Sequence, residues 1–328
     1  MSAPLASLPA RAVDLTARIL ERNPMHRAFL ERAVAQLSPD EASRLEGYLA
    51  FAAAQGLAPD HLADCYLTVV GDALREQVFF RRHGRYRYSR FAEVAARVYD
   101  DPEFMHRYMY GLAITVFLWP NHLAMARFFE RAMPRARGGA YLEIGPGHGY
   151  YLMTAVASGA YDSVRGIDVS AASVAQTRAV LEHFCPTQAD RYLIEQRDFF
   201  DATDLPPESA DAVVMGEVLE HVEQPDVFLR RIAEVARPGA FIFVTTCVNA
   251  PAIDHIFLWR SPDEVDALIR ACGLEIVEAL RLPYEGKTLE ACAEERLTVN
   301  LAYVLRKASA PSATERARAQ GEGREAAE

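Results

Sequence analysis

Apolar positions along the first 130 or so residues recur at three- and four-residue spacing, and no stretch alternates as a strand would. The pattern predicts amphipathic helices over residues 5–21 and 25–37. Ser38-Pro39-Asp40-Glu41 then marks a clear start: an N-cap serine, proline at the first helical position, and a glutamate three residues beyond the cap. That helix is expected to run to about Gln55 and stop at Gly56. A longer helix follows over residues 59–80, ahead of the turn at His83-Gly84, with further helices over 89–99, 102–119 and 121–132.

From Ala140 the period changes. Short apolar runs over residues 140–144, 163–167, 191–196, 210–215 and 240–246 read as strands, and helical stretches over 150–158, 170–184, 225–236 and 262–272 are interspersed. Two further strands are predicted at 274–282 and 297–305. The alternation is the one a parallel α/β sheet requires. The organisation expected is a helical N-terminal lid and substrate domain over 1–134, ending at Pro134, a linker of Arg, Ala and Gly over 135–139, and a catalytic domain over 140–307. A tail over 308–328, without a large apolar residue, is expected to be disordered.

With 328 residues, 51% hydrophobic and 24% charged, the chain has room for two globular domains. No apolar run has the length of a membrane span; the longest, 111–120, is too short. The start lacks a basic segment followed by an apolar one, and Cys65, Cys185, Cys247, Cys272 and Cys292 form no C-x-x-C pair. A cytoplasmic protein with free thiols and no membrane partner is the expectation. A net charge of −10 argues against a nucleic-acid partner. The local exception is Arg75, Arg81, Arg82, Arg85, Arg87 and Arg90, interleaved with Phe79, Phe80, Tyr86 and Tyr88. That mixture suits either a solvated helix end and turn or the binding of single-stranded nucleic acid or an anionic small molecule. The aromatic stretch 104–129 (Tyr108, Tyr110, Phe117, Trp119, Phe128, Phe129, with His122) fits core or a pocket wall.

The chemistry begins at Glu143-Ile144-Gly145-Pro146-Gly147-His148-Gly149, between the first strand and its helix. Glycines there allow a tight turn and a close ligand, and the helix start offers unpaired N–H groups. The spacing is Glu-x-Gly-x-Gly-x-Gly rather than the dinucleotide G-x-G-x-x-G. It resembles motif I of the class I S-adenosylmethionine (SAM) dependent methyltransferases, and the seven predicted strands resemble that family's Rossmann-like sheet. The resemblance implies that Glu143, Gly145, Gly147 and Gly149 line the cofactor's methionine part and that Asp168, ending the second strand, accepts from the ribose hydroxyls. It implies that Asp198 reads the adenine amino group and that Phe199 stacks on the ring. No Asn-Pro-Pro-Tyr follows the fourth strand, which argues against methyl transfer to an exocyclic amine. The Leu219-Glu220-His221 segment is instead common in ubiquinone-type O-methyltransferases.

Glu217, Glu220 and His221 stand at i, i+3 and i+4, so one helical turn would aim all three at a point suited to a divalent metal. A fourth ligand is available from the loop after the fifth strand, Asp254-His255-Ile256-Phe257-Leu258-Trp259. The two segments together are similar to the metal-dependent 2′-O-methyltransferases that act on the 3′ ends of small RNAs, the Hen family. That resemblance implies Glu217, Glu220, His221 and His255 as ligands. The alternative is a metal-free rim in which His221 or His255 is the general base, with Glu220 beside them. The expected function is SAM-dependent O-methyl transfer to a small molecule of specialised metabolism, assisted by Mn, Fe, Co, Zn or Mg. RNA 2′-O-methylation and metal-free C- or N-methylation are the alternatives. The apolar N-terminal helices are also suited to homodimerisation.

Overall fold

Ser38 opens its helix as the sequence foretells. Its hydroxyl accepts the Glu41 N–H, the Glu41 carboxylate accepts the Ser38 N–H, and Pro39 is the first residue of the helix Pro39–Ala54. The pair satisfies two donors that the helix cannot satisfy itself. Glu41 also accepts from Arg127 on the helix Pro120–Ala132, and that guanidinium holds its carboxyl down to about 2. The computed structural model describes residues 3–134 and 138–308. Residues 135–137 of the expected linker and 309–328 of the expected tail lie outside the described residues.

The N-terminal region is helical throughout. The long helix Pro59–His83 packs against Pro102–Leu118 around Tyr66, Ile114 and Phe117. Gly111 makes that approach possible: a Cβ there would lie 2.4 Å from the Cys65 carbonyl oxygen. One expected element differs. Residues 89–99 form no single helix but a short turn, Phe91–Val94, followed by a π-turn, Ala95–Tyr99. The wider turn leaves Tyr99 lining the cavity described below.

Seven strands form one sheet: β1 Ala140–Ile144, β2 Ser163–Asp168, β3 Tyr192–Gln196, β4 Ala210–Gly216, β5 Ala236–Val248, β6 Leu274–Pro283 and β7 Val299–Lys307. Their order is β3-β2-β1-β4-β5-β7-β6. The sheet is mixed, not wholly parallel as the alternation suggests, because β7 runs antiparallel to both neighbours. The last residue of β6, Pro283, lies opposite the first of β7, Val299, so the connection closes at one end of the sheet without crossing a face. That connection contains a helix absent from the sequence-based prediction, Leu289–Glu295, capped by Thr288.

Both sheet faces are covered, which explains why the central strands are largely apolar on both sides. Leu142, Ile144, Val213, Met215, Ile242 and Val244 face the helices Pro225–Val235 and Pro262–Ala271. Their sequence neighbours Tyr141, Ala212, Val214, Phe241 and Phe243 point the other way, toward Leu152, Leu181, Phe128 and Phe129. Between β1 and β4 the strand order reverses, and the carboxyl ends diverge there into a crevice.

Candidate active site

The glycine loop leaves β1 and enters the helix Tyr150–Ser158, with Gly145, Gly147 and Gly149 all at positive φ. At Gly145 space is also short: a Cβ would stand 2.7 Å from Val218 Cγ2. Asp168, at the end of β2, is buried and ties the loop down. Its Oδ2 accepts the Gly147 N–H at 3.1 Å and its Oδ1 the Ser170 N–H at 2.8 Å. Burial pushes its carboxyl up to about 6. Glu143, buried in β1, accepts from the Tyr141 hydroxyl, and burial pushes it up to about 8. After β3, Asp198 accepts the Phe200 N–H, while Phe199 is buried against Phe228 and leaves Phe200 the more exposed ring. Glu143, Gly145, Gly147, Asp168, Asp198, Phe199 and Phe200 line one cavity of about 1220 Å³.

The same cavity reaches the ends of β4 and β5. Here the local geometry differs from the expected helical turn. Glu217 adopts φ 51°, in the left-handed region, and only Leu219–His221 form a single 3-10 turn. Tertiary bonds hold this shape. The Glu217 N–H donates to Thr245 Oγ1, Thr246 Oγ1 donates to Glu220 Oε2, and the Glu220 carbonyl accepts the Ile256 and Phe257 N–H groups. The last pair locks the loop after β5 onto the turn after β4. As a result Glu217, Glu220, His221 and His255 do meet, with Glu220 at the centre.

Ligand-type atoms of Glu220, His221 and His255 lie within 4.8 Å of one another, and so do those of Glu217, Glu220 and Cys247. Both histidines use Nδ1 to donate to a backbone carbonyl, His221 to Asp254 at 3.0 Å and His255 to Ala250 at 2.6 Å. In the neutral ring that leaves Nε2 with its lone pair, the arrangement usual for metal-binding histidines. Glu217 Oε1 and Glu220 Oε1 are buried without a hydrogen-bond partner. Burial raises both carboxyls, Glu220 well above its ordinary value with the Glu217 charge adding to it, and it holds His255 down to about 4. Two orphaned carboxylate oxygens beside two oriented imidazoles fit a divalent cation.

The N-terminal helices complete the walls. The Tyr86 hydroxyl accepts the Ala250 N–H at 3.0 Å, and the buried Asp72 accepts the Ile253 N–H at 3.0 Å. Both residues clamp the loop that carries His255, a role the sequence did not reveal because the contacts span more than 160 residues. The aromatic stretch divides. Tyr110, Phe117, Phe128 and Phe129 are core, whereas Tyr108, Trp119 and His122 line the cavity. Of the arginine-rich segment, Arg87 pairs with the buried Glu76 and lies over Phe79, and Arg75 stands beside Asp72. At least these two arginines serve the chain itself.

Comparison with known proteins bears on the fold and the methyltransferase domain. Residues 142–242 match a family model described as a methyltransferase domain. A ubiquinone biosynthesis O-methyltransferase of Neisseria meningitidis is 24% identical over 195 residues, 52% of this chain and 79% of that protein. The mitochondrial ubiquinone biosynthesis O-methyltransferase of Mus musculus is 27% identical over 166 residues, which cover 44% of this chain and 43% of the relative. The chain thus spans less than half the length of the mouse protein. Among solved structures, the mitomycin 7-O-methyltransferase MmcR shares the fold with a TM-score of 0.50 at 18% identity, over 76% of this chain and 70% of that one. Among the described residues no helix is long and apolar enough to cross a membrane. The matched domain, the strand order and the glycine loop make this chain a SAM-dependent methyltransferase of the class I fold.

Proposed function

We propose that the enzyme transfers the methyl group of SAM to an oxygen of a small molecule, with a divalent cation held by Glu217, Glu220, His221 and His255. The observation that carries this reading is the pair of buried carboxylate oxygens without partners, one on Glu217 in the wall of the cavity that also contains the glycine loop and one on Glu220 beside it. The similarity to O-methyltransferases supports oxygen as the acceptor atom. SAM supplies a methyl already activated by its sulfonium, so the protein's task is to place acceptor and donor in line. A divalent cation at the cluster would supply Lewis acidity and a fixed point for two adjacent acceptor oxygens, as in a diol, catechol or hydroxy acid.

The chain's own residues do the rest. Asp168 presents a buried carboxylate to the ribose hydroxyls, and the glycine loop lets the methionine part approach the backbone. Thr245, Thr246 and the Asp254 and Ala250 carbonyls hold the four ligands in orientation. Tyr108, Trp119 and His122 line the cavity and supply apolar and aromatic surface for the acceptor. The test is elemental analysis of tag-free protein beside a Glu220→Ala/His221→Ala variant, with methyl transfer from labelled SAM to a panel of vicinal oxygen compounds. Near-stoichiometric metal in the wild type, lost in the variant, is expected. A wild type that remains empty after incubation with Mn, Fe, Co, Zn or Mg and SAM rejects the metal and makes His221 or His255 the base.

A further inference from the structure

Cys247 belongs to none of the motifs read from the sequence, yet its place is specific. It lies in β5, opposite Asn300 of β7, and is buried. Its sulfur stands 3.8 Å from His255 Nδ1, and it forms with Glu217 and Glu220 a group whose ligand atoms are within 4.8 Å. This group shares Glu220 with the His221 and His255 group. Ligands around one ion bonded at about 2.0–2.3 Å stand at most about 4.6 Å apart, close to the 4.8 Å that bounds each group. Independently of the cysteine, Glu220, fully buried, keeps Oε1 without a partner, as does Glu217.

We propose that Cys247 is a further ligand of the cation assigned to this cluster, so that the centre selects a thiolate-binding ion such as zinc, iron(II) or cobalt over magnesium. The inference rests on the metal reading above and extends it to the ion's identity. On binding, the thiol loses its proton to solvent and the sulfur lone pair forms the bond to the ion. Thiolate and imidazole donors favour zinc and iron, whereas magnesium takes oxygen shells. The four-residue set alone leaves that choice open.

Cobalt(II) is the probe, because thiolate coordination gives a near-ultraviolet charge-transfer absorption that carboxylate and imidazole ligands do not. Full-length protein is loaded with cobalt(II), and its spectrum and metal content are compared with Cys247→Ser and Cys247→Ala. The expected result is one cobalt per chain with the charge-transfer band in the wild type, and loss of the band in either variant. Zinc is expected to displace cobalt and magnesium is not. Stoichiometric cobalt without the band overturns the cysteine assignment and leaves the four-residue centre standing. Failure to bind cobalt, zinc or magnesium overturns both. If neither variant folds, the wild-type spectrum still decides, since among the described residues no other cysteine stands in such a cluster.

Discussion

The two halves of the cavity are built in different ways. At the β1–β2 end, Glu143, the glycines and Asp168 lie within about 25 residues of each other, joined by Gly147 donating to Asp168. At the β4–β5 end, the cluster is assembled from Glu217 to His255 and held by Tyr86 and Asp72, far earlier in the chain. The first half is a local motif that any chain with that strand–loop–helix unit reproduces. The second depends on the whole fold having closed, so its chemistry is sensitive to packing at a distance.

That contrast can be broken from either side. The largest effect is expected from Asp168→Ala, which removes a buried charged acceptor. SAM affinity by calorimetry should fall roughly 10- to 100-fold, the equivalent of a lost charge-assisted hydrogen bond, while bound metal stays constant. If metal is lost as well, the two halves are not separable.

The pH dependence sharpens the same point. Burial raises Asp168 to about 6, so the carboxyl is protonated below that value and loses acceptor capacity. SAM affinity should hold above about pH 6 and fall up to about tenfold per unit below it. In Asp168→Ala this dependence should vanish. A profile unchanged between the two proteins assigns the titration elsewhere.

A smaller effect is expected from the far clamp. Tyr86→Phe leaves the Ala250 N–H without its acceptor, and Ala250 is the residue whose carbonyl orients His255. Metal affinity should weaken by about tenfold with SAM binding unaltered, as for other outer contacts to a metal ligand. An unchanged metal affinity would show that Asp72 and the Glu220 carbonyl hold the loop without Tyr86. Ser38→Ala is the smallest test, lowering unfolding stability by about 1 kcal/mol and leaving both halves of the cavity intact.

What could be read in advance follows the same division. Strand β1 and the helix Tyr150–Ser158 have the predicted bounds, because strong apolar runs end at glycines, which adopt the positive φ that other residues avoid. The Ser38 capping box was equally legible, its two bonds spanning three residues. The turn at Glu217 was not. Residues at i, i+3 and i+4 suggest a helical turn, but the Thr245 hydroxyl and the Glu220 carbonyl bonds impose a left-handed residue and a 3-10 turn. The cluster forms all the same, by a different backbone route.

The sequence by itself determined the strand positions, the glycine loop and the list of polar residues at the strand ends, because each is encoded in short-range periodicity or spacing. Only the tertiary structure decided that β7 returns antiparallel, that Tyr86 and Asp72 clamp the His255 loop, and that Cys247 joins the carboxylates. Such contacts join residues tens to more than a hundred positions apart. No local pattern specifies which of many polar side chains will meet once the hydrophobic faces have closed.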